Sequence, residues 1–303
     1  MLFGLLGNTL TILVVWLRPH MRSSTYLYLS SMAVSDLLIL LLLPLDLYKL
    51  WRPRPWPLGD LACKLTMFLS ECCTFCTILH ITFLSLERYV AVCWPITAKT
   101  VVTRRRTRVI IGCLWLGAAV SASPVLIMVG VEDVGGEDHG FCRCTHYAIS
   151  SGLLSAMMIL SNLYFLVPLC ILGLVYTLIG RTLWLRPKSS RRDQSHRSTV
   201  KMLGVIVLAF VLCWLPFHVG RTILSLSLGS SVERQDASMN YFNLASSVLF
   251  YLSAAVNPLL YNLMSARYRL AVHSLIHKHP HTHTHRLKSA HEIRNKYVCF
   301  FSI

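Results

Sequence analysis

Apolar residues gather in seven blocks along the chain, at residues 2–17, 26–50, 61–93, 109–131, 149–183, 199–226 and 239–264. Short breaks rich in proline, glycine and basic residues separate them: Arg18-Pro19-His20, Arg52-Pro53-Arg54-Pro55, Trp94-Pro95, Gly135-Gly136 and Arg186-Pro187-Lys188. All blocks but the first are long enough to cross roughly 30 Å of hydrocarbon at about 1.5 Å per helical residue. Each is predicted to be helical, because backbone groups left unpaired in lipid are costly. The first block falls short of a span. It lacks a charged leading region and a cleavage site, so it reads as a membrane helix rather than a signal peptide, with its outer part and an outer tail expected upstream of Met1.

Composition supports this pattern. Of 303 residues, 54% are hydrophobic and 14% charged, against about a quarter charged in soluble domains. A water-soluble fold would have too little polar surface to cover such a core, so a bilayer is the better solvent. The net charge of +16 would suit nucleic acid, but no basic stretch interleaves with aromatics outside the apolar blocks. The charge is sorted by loop instead. Arg18 and Arg22, then Lys99, Arg104, Arg105, Arg106 and Arg108, then Arg186, Lys188, Arg191, Arg192 and Arg197 follow the first, third and fifth blocks. The loop after the fourth is acidic, with Glu132, Asp133, Glu137 and Asp138. By the positive-inside rule the N-terminus lies outside and the C-terminus inside.

Most of the eleven cysteines, such as Cys72, Cys73 and Cys76, sit inside apolar blocks, where a thiol acts as a small hydrophobe. Only Cys63, Cys142 and Cys144 lie near outer segments, where disulfides persist, and no pair has zinc-site spacing. The domain reading is a seven-helix unit over 1–264, an amphipathic membrane-surface helix over 265–277, and a disordered cytoplasmic tail over 278–303. The alternating histidines that open the tail could bind a metal; a disordered polar tail is the preferred reading, and no metal site is expected.

Ionisable groups inside membrane segments are functional candidates by default. They are Asp36, Asp46, Glu71, the Glu87-Arg88 pair and Arg221. The alternative reading, snorkelling from a helix end, is open to Asp46, but Asp36 is mid-segment, and Glu71 lies about two turns inside and must face a polar cavity or a cation.

The motifs come in order, about one per block: Gly7-Asn8, Leu29-Ser-Ser-Met-Ala-Val-Ser-Asp36, Glu87-Arg88-Tyr89, Trp115, Pro168, Cys213-Trp214-Leu-Pro216 and Asn257-Pro258-Leu-Leu-Tyr261. The set resembles the rhodopsin-like G-protein-coupled receptors over the whole chain up to the amphipathic helix. That resemblance implies an all-α seven-helix bundle in the plasma membrane, a heterotrimeric G protein and arrestin as partners besides lipid, and no enzymatic activity. It implies that Glu87 neutralises Arg88 at rest, and that Arg88 turns on activation toward Tyr176 and Tyr261 while the sixth helix swings outward. Trp214 belongs to the same switch, with Pro216 and Pro258 as hinges. Arg88, Arg104, Arg105, Arg106, Thr199 and Lys201 would face the G protein. Asp36, Thr77, Ser253 and Asn257 resemble an internal sodium site, with Ser253 replacing a more usual Asn. Cys63 is expected to pair with the second outer loop; of Cys142 and Cys144, Cys142 aligns better with relatives.

No lysine lies between residues 241 and 264, against a retinal-binding opsin, and Ser70 stands where amine receptors carry Asp. Glu71, Asp46, Lys49 and Arg221, walled by Phe217, His218, Phe250 and Tyr251, suit a peptide. Arg54-Pro-Trp56, Pro44-Leu-Asp46-Leu-Tyr-Lys49 and Leu212-Cys-Trp-Leu-Pro-Phe-His-Val-Gly-Arg221 resemble the ghrelin and motilin receptors. In those relatives the acid and base matching Glu71 and Arg221 bridge the cavity and divide it in two. That branch implies a peptide hormone as ligand and phospholipase C and calcium as output. Departures are Met67 for Gln, Lys49 for Arg and Tyr26 for Asn. A receptor for a neurotensin- or neuromedin-like peptide is the alternative. A transporter or channel is disfavoured because the first three blocks do not repeat in the last three.

Overall fold

The computed structural model describes residues 1–51, 56–132, 140–185, 191–229 and 237–276. In chain order the helices are α1 (Leu2–Leu17), α2 (Ser24–Trp51), α3 (Gly59–Cys93), α4 (Pro95–Val101), α5 (Arg104–Ala122) and α6 (Val125–Met128). A hairpin follows, of β1 (Val129–Glu132) and β2 (Phe141–Cys144). The chain then continues as α7 (His146–Ser150), α8 (Leu153–Leu185), α9 (Arg191–Gly229), α10 (Ala237–Met264) and α11 (Ala266–Ile276). The long helices α1, α2, α3, α5, α8, α9 and α10 correspond one to one with the seven apolar blocks.

Two blocks break where the pattern predicts single helices. The fourth loses its helix after Ala122, since Pro124 has no backbone donor, and β1 begins at Val129. The fifth is split because Gly152 adopts φ +75°, a left-handed turn between α7 and α8 that a side chain would strain. Thr103 and Thr145 cap α5 and α7 with their side-chain oxygens, accepting from Arg106 N and Ala148 N.

The bundle centres on α3, which packs against α2, α5 and α8, while α1 packs on α2 and α10, and α9 on α10. One core gathers Met32, Leu40, Phe165, Phe210, Trp214 and Phe250; a second gathers Trp56, Cys63, Phe75, Met128, Val129 and Met157 under the hairpin. Leu41, Leu116, Leu174, Leu212 and Leu252 point outward instead, an apolar exterior suited to lipid. Among the described residues, five helices are long and apolar enough to span a bilayer; α1 has 16 residues, and α10 carries a shorter apolar run over Leu244–Leu260. Antiparallel pairing sets Val129 against Cys144 and Val131 against Cys142. The hairpin is bonded to α3 through Cys63–Cys142, and Asp60 Oδ1 accepts from Val131 N at 2.9 Å.

Candidate functional site

Beneath the hairpin lies a cavity of about 950 Å³. Asp46, Met67, Ser70, Glu71, Phe217, Arg221, Phe250 and Tyr251 all line it, with Val129 of the hairpin at its edge. Across it Arg221 Nη1 donates to Glu71 Oε2 at 2.6 Å, joining α9 to α3. The pair is well buried, with the Glu71 side chain 7% exposed and that of Arg221 24%. An isolated charge here would be costly to desolvate, and each offsets the other. Arg221 also lies 5.6 Å from the centre of the Phe217 ring. Glu71 Oε1 is buried without a partner among the described residues, which leaves it to accept from a ligand donor or water.

Two expected wall residues lie elsewhere. Lys49 turns to Asp46 at 3.3 Å and sits over the Trp56 ring, outside the cavity lining. The remaining oxygen of Asp46 accepts from the Tyr251 hydroxyl, tying α2 to α10. His218 is buried outside the lining, stacked on Phe165 with centroids 4.6 Å apart. The cavity therefore lies on the α2/α10 side, and no described residue of α8 lines it.

One level deeper, Trp214 packs edge-on against Phe250 and donates to Ser253 Oγ at 2.9 Å. A smaller, mainly apolar cavity of about 230 Å³ borders Thr77, Trp214, Ser253 and Asn257 together with Phe210, Leu212 and Leu252, and Asp36 does not line it. Asp36 Oδ2 accepts from Asn257 Nδ2 at 2.8 Å, and Ser35 and Thr77 share a hydrogen bond of 2.9 Å. These are hard oxygen donors, which fit a small alkali cation. Ser253 is the weakest of them, since its hydroxyl donates to the Phe250 carbonyl while receiving Trp214.

At the opposite end of α3, no direct ion pair joins Glu87 to Arg88, the neighbour whose charge it is expected to neutralise. Glu87 Oε1 accepts from Tyr28 Oη at 3.0 Å on α2 and from Thr107 Oγ1 at 3.2 Å on α5, and among the described residues no ion pair links Glu87 to Arg88. Successive helical residues point about 100° apart, so neighbours in sequence are poor partners. Tyr28 and Thr107 carry little mark in the sequence; a lone Thr among the arginines of 104–108 is the one available signal. Tyr89 lies beside Arg88 on α3, and Tyr176 Oη lies 3.4 Å from Ser85 Oγ. Arg104, Arg105 and Lys201 are exposed at this end, and Arg106 donates to the Thr100 carbonyl at 3.2 Å. Pro258 is buried against Gly7 of α1. The Tyr261 and Thr199 side chains, and the histidine-rich tail, lie outside the described residues.

Seven long helices, a disulfide-anchored hairpin over a charged cavity and an amphipathic eighth helix define a seven-helix receptor. The seven-transmembrane receptor family of the rhodopsin type matches residues 7–261, and the chain belongs to it as a multi-pass membrane protein of the ghrelin and motilin receptor group. The chain is 53% identical over 283 residues to growth hormone secretagogue receptor type 1 of Sus scrofa, covering 90% of this chain and 77% of that one. Against the Homo sapiens receptor of that name identity is 52%, and against the Homo sapiens motilin receptor 42% over 322 residues, with the same two coverages.

Proposed function

We propose that this chain is a plasma-membrane receptor for a peptide hormone of the ghrelin or motilin kind, with its N-terminus outside and its C-terminus inside. The Glu71–Arg221 ion pair across the 950 Å³ cavity carries this reading. A peptide's charged groups can exchange with either member, so binding acts directly on α9. Arg88, Arg104, Arg105 and Lys201 supply the basic face for a heterotrimeric G protein, with arrestin and inner-leaflet lipids as further partners and phospholipase C and calcium as output. Signalling is a population shift: a ligand that binds the active state about 100-fold better supplies about 2.7 kcal/mol.

In transfected cells, Glu71→Gln and Arg221→Gln should each abolish or strongly weaken agonist-driven calcium release at normal surface expression. Unchanged potency would sink the reading. Acylated ghrelin, unacylated ghrelin and motilin, compared on the native chain, identify the agonist; response to a neuromedin-type peptide alone would favour the alternative.

Asp36, Thr77, Ser253 and Asn257 would hold a sodium ion, which supplies positive charge to the buried carboxylate. Replacing potassium with sodium is then expected to lower agonist affinity, and Asp36→Asn to remove that dependence in radioligand competition.

A further inference from the structure

Asn162 is an amide inside an apolar stretch of α8, Leu160-Ser-Asn-Leu-Tyr164, where an unpaired polar group is costly. Its partner is on α9. Asn162 Nδ2 donates to Thr222 Oγ1 at 3.0 Å, and Thr222 Oγ1 lies 2.8 Å from the His218 carbonyl and 3.3 Å from Asn162 Oδ1. The hydroxyl has one hydrogen. It goes to the shorter contact, the His218 carbonyl, leaving the hydroxyl oxygen to accept from the amide. One turn inward, Phe165 stacks on His218, so the α8–α9 contact has a polar layer above an aromatic one.

Thr222 directly follows Arg221, about 100° further round the helix. The outer end of α9 is thus tied to α3 through Arg221 and to α8 through Thr222. Inward of both ties, Pro216 removes a backbone donor, and α9 is most easily bent there. Neither Asn162 nor Thr222 lines the ligand cavity.

We propose that Asn162 and Thr222 are positioning residues: they pin the outer half of α9 to α8, so that displacement of Arg221 by ligand bends α9 at Pro216 instead of tilting the helix as a whole. This rests on the receptor reading above. An ordinary interhelical hydrogen bond would alter stability alone; a pin separates binding from response.

The test uses the full chain with Asn162→Leu, Thr222→Val, the double variant and the conservative Thr222→Ser. Acylated ghrelin and motilin are the probes, with affinity from surface competition binding and response from maximal nucleotide exchange per surface receptor. Each single variant should keep affinity within about twofold and lose about twofold to tenfold in maximal exchange, the scale of one buried hydrogen bond. The double variant should be no worse than the poorer single, and Thr222→Ser should respond like the native chain. Full response in both singles, losses that multiply in the double variant, or affinity falling in step with response would each overturn the pin. Should Thr222→Val fail to reach the surface, Asn162→Leu against Thr222→Ser carries the same decision. A native chain silent to both peptides overturns the receptor reading and the pin with it.

Discussion

Single polar side chains buried between helices decide how this bundle is fastened. Asn8 donates to the carbonyls of Gly4 and Ala254, both at 2.9 Å, linking α1 to α10. Tyr26 reaches Ser265 Oγ at 2.9 Å, and Ser265 Oγ accepts from Tyr268 N at the start of α11. Tyr28 and Thr107 hold Glu87 between α2 and α5, and Ser24 Oγ lies 2.9 Å from Thr107 Oγ1, whose one hydrogen goes to the carboxylate, so Ser24 donates. Tyr28→Phe leaves the carboxylate short of a donor and is expected to cost about 1–3 kcal/mol. A thermal midpoint in detergent equal to that of the native protein would rule this out. Which buried polar positions matter is legible from the sequence, because charge and amide stand out in apolar blocks. Their partners are not: adjacency suggests Arg88 for Glu87, whereas the folded chain selects Tyr28 and Thr107 by helix face, which depends on the rotation of three helices at once.

Among elements, the α1 contact is governed by absent side chains. A Cβ at Gly4 would come within 2.7 Å of Leu40 Cδ1 and 2.9 Å of Ala255 Cβ, and one at Gly7 within 2.8 Å of Pro258 Cβ. Gly7→Val should therefore push α1 off α10 and cost about 1–3 kcal/mol by overpacking, read as reduced surface expression and a lower thermal midpoint. Gly112→Val, where an added Cβ would meet nothing within 4 Å, serves as the neutral control. Helix number and order follow from block lengths alone. Helix ends are harder, since the breaks at Pro124 and Gly152 fall inside long apolar runs and the single Pro or Gly there is outweighed by the length of the block. The hairpin is equally hidden: Val129-Gly-Val131 reads as the tail of a helix until Asp60 and Cys63 supply partners for an extended strand.

Across the molecule, polar chemistry is layered along the bundle: the ion pair beneath the hairpin, the Asp36–Asn257 contact in the middle, and Glu87 at the far end. Trp214 and Pro216 of α9 and Pro258 of α10 lie between these layers, so the two helices that connect them each carry a proline that removes a backbone donor. The sodium and ion-pair variants above test the two upper layers separately.

The hairpin also holds Cys144, a half-buried free thiol two residues from the bridged Cys142. Burial and the neighbouring Glu132 carboxylate push this thiol above the ordinary cysteine range, with Arg143 opposing. Less of it is thiolate at neutral pH, so maleimide labelling should be slower than for a free cysteine and should accelerate as pH rises. Comparison with Cys144→Ser isolates this signal, and a rate independent of pH would contradict it.

The same thiol makes oxidative folding of the outer loop a contest. Cys142 and Cys144 share one face of β2, so a slip of two residues, about 6.6 Å along the strand, would present Cys144 to Cys63 without turning any side chain inside out. The winning register is held by Glu132, which receives Arg143 at 3.2 Å and the His146 amide at 2.8 Å, and by Asp60 on Val131. Removing those few acidic contacts should therefore lower the share of chains carrying the Cys63–Cys142 bridge, read by peptide mapping of a non-reduced digest, although none of them lines the ligand cavity.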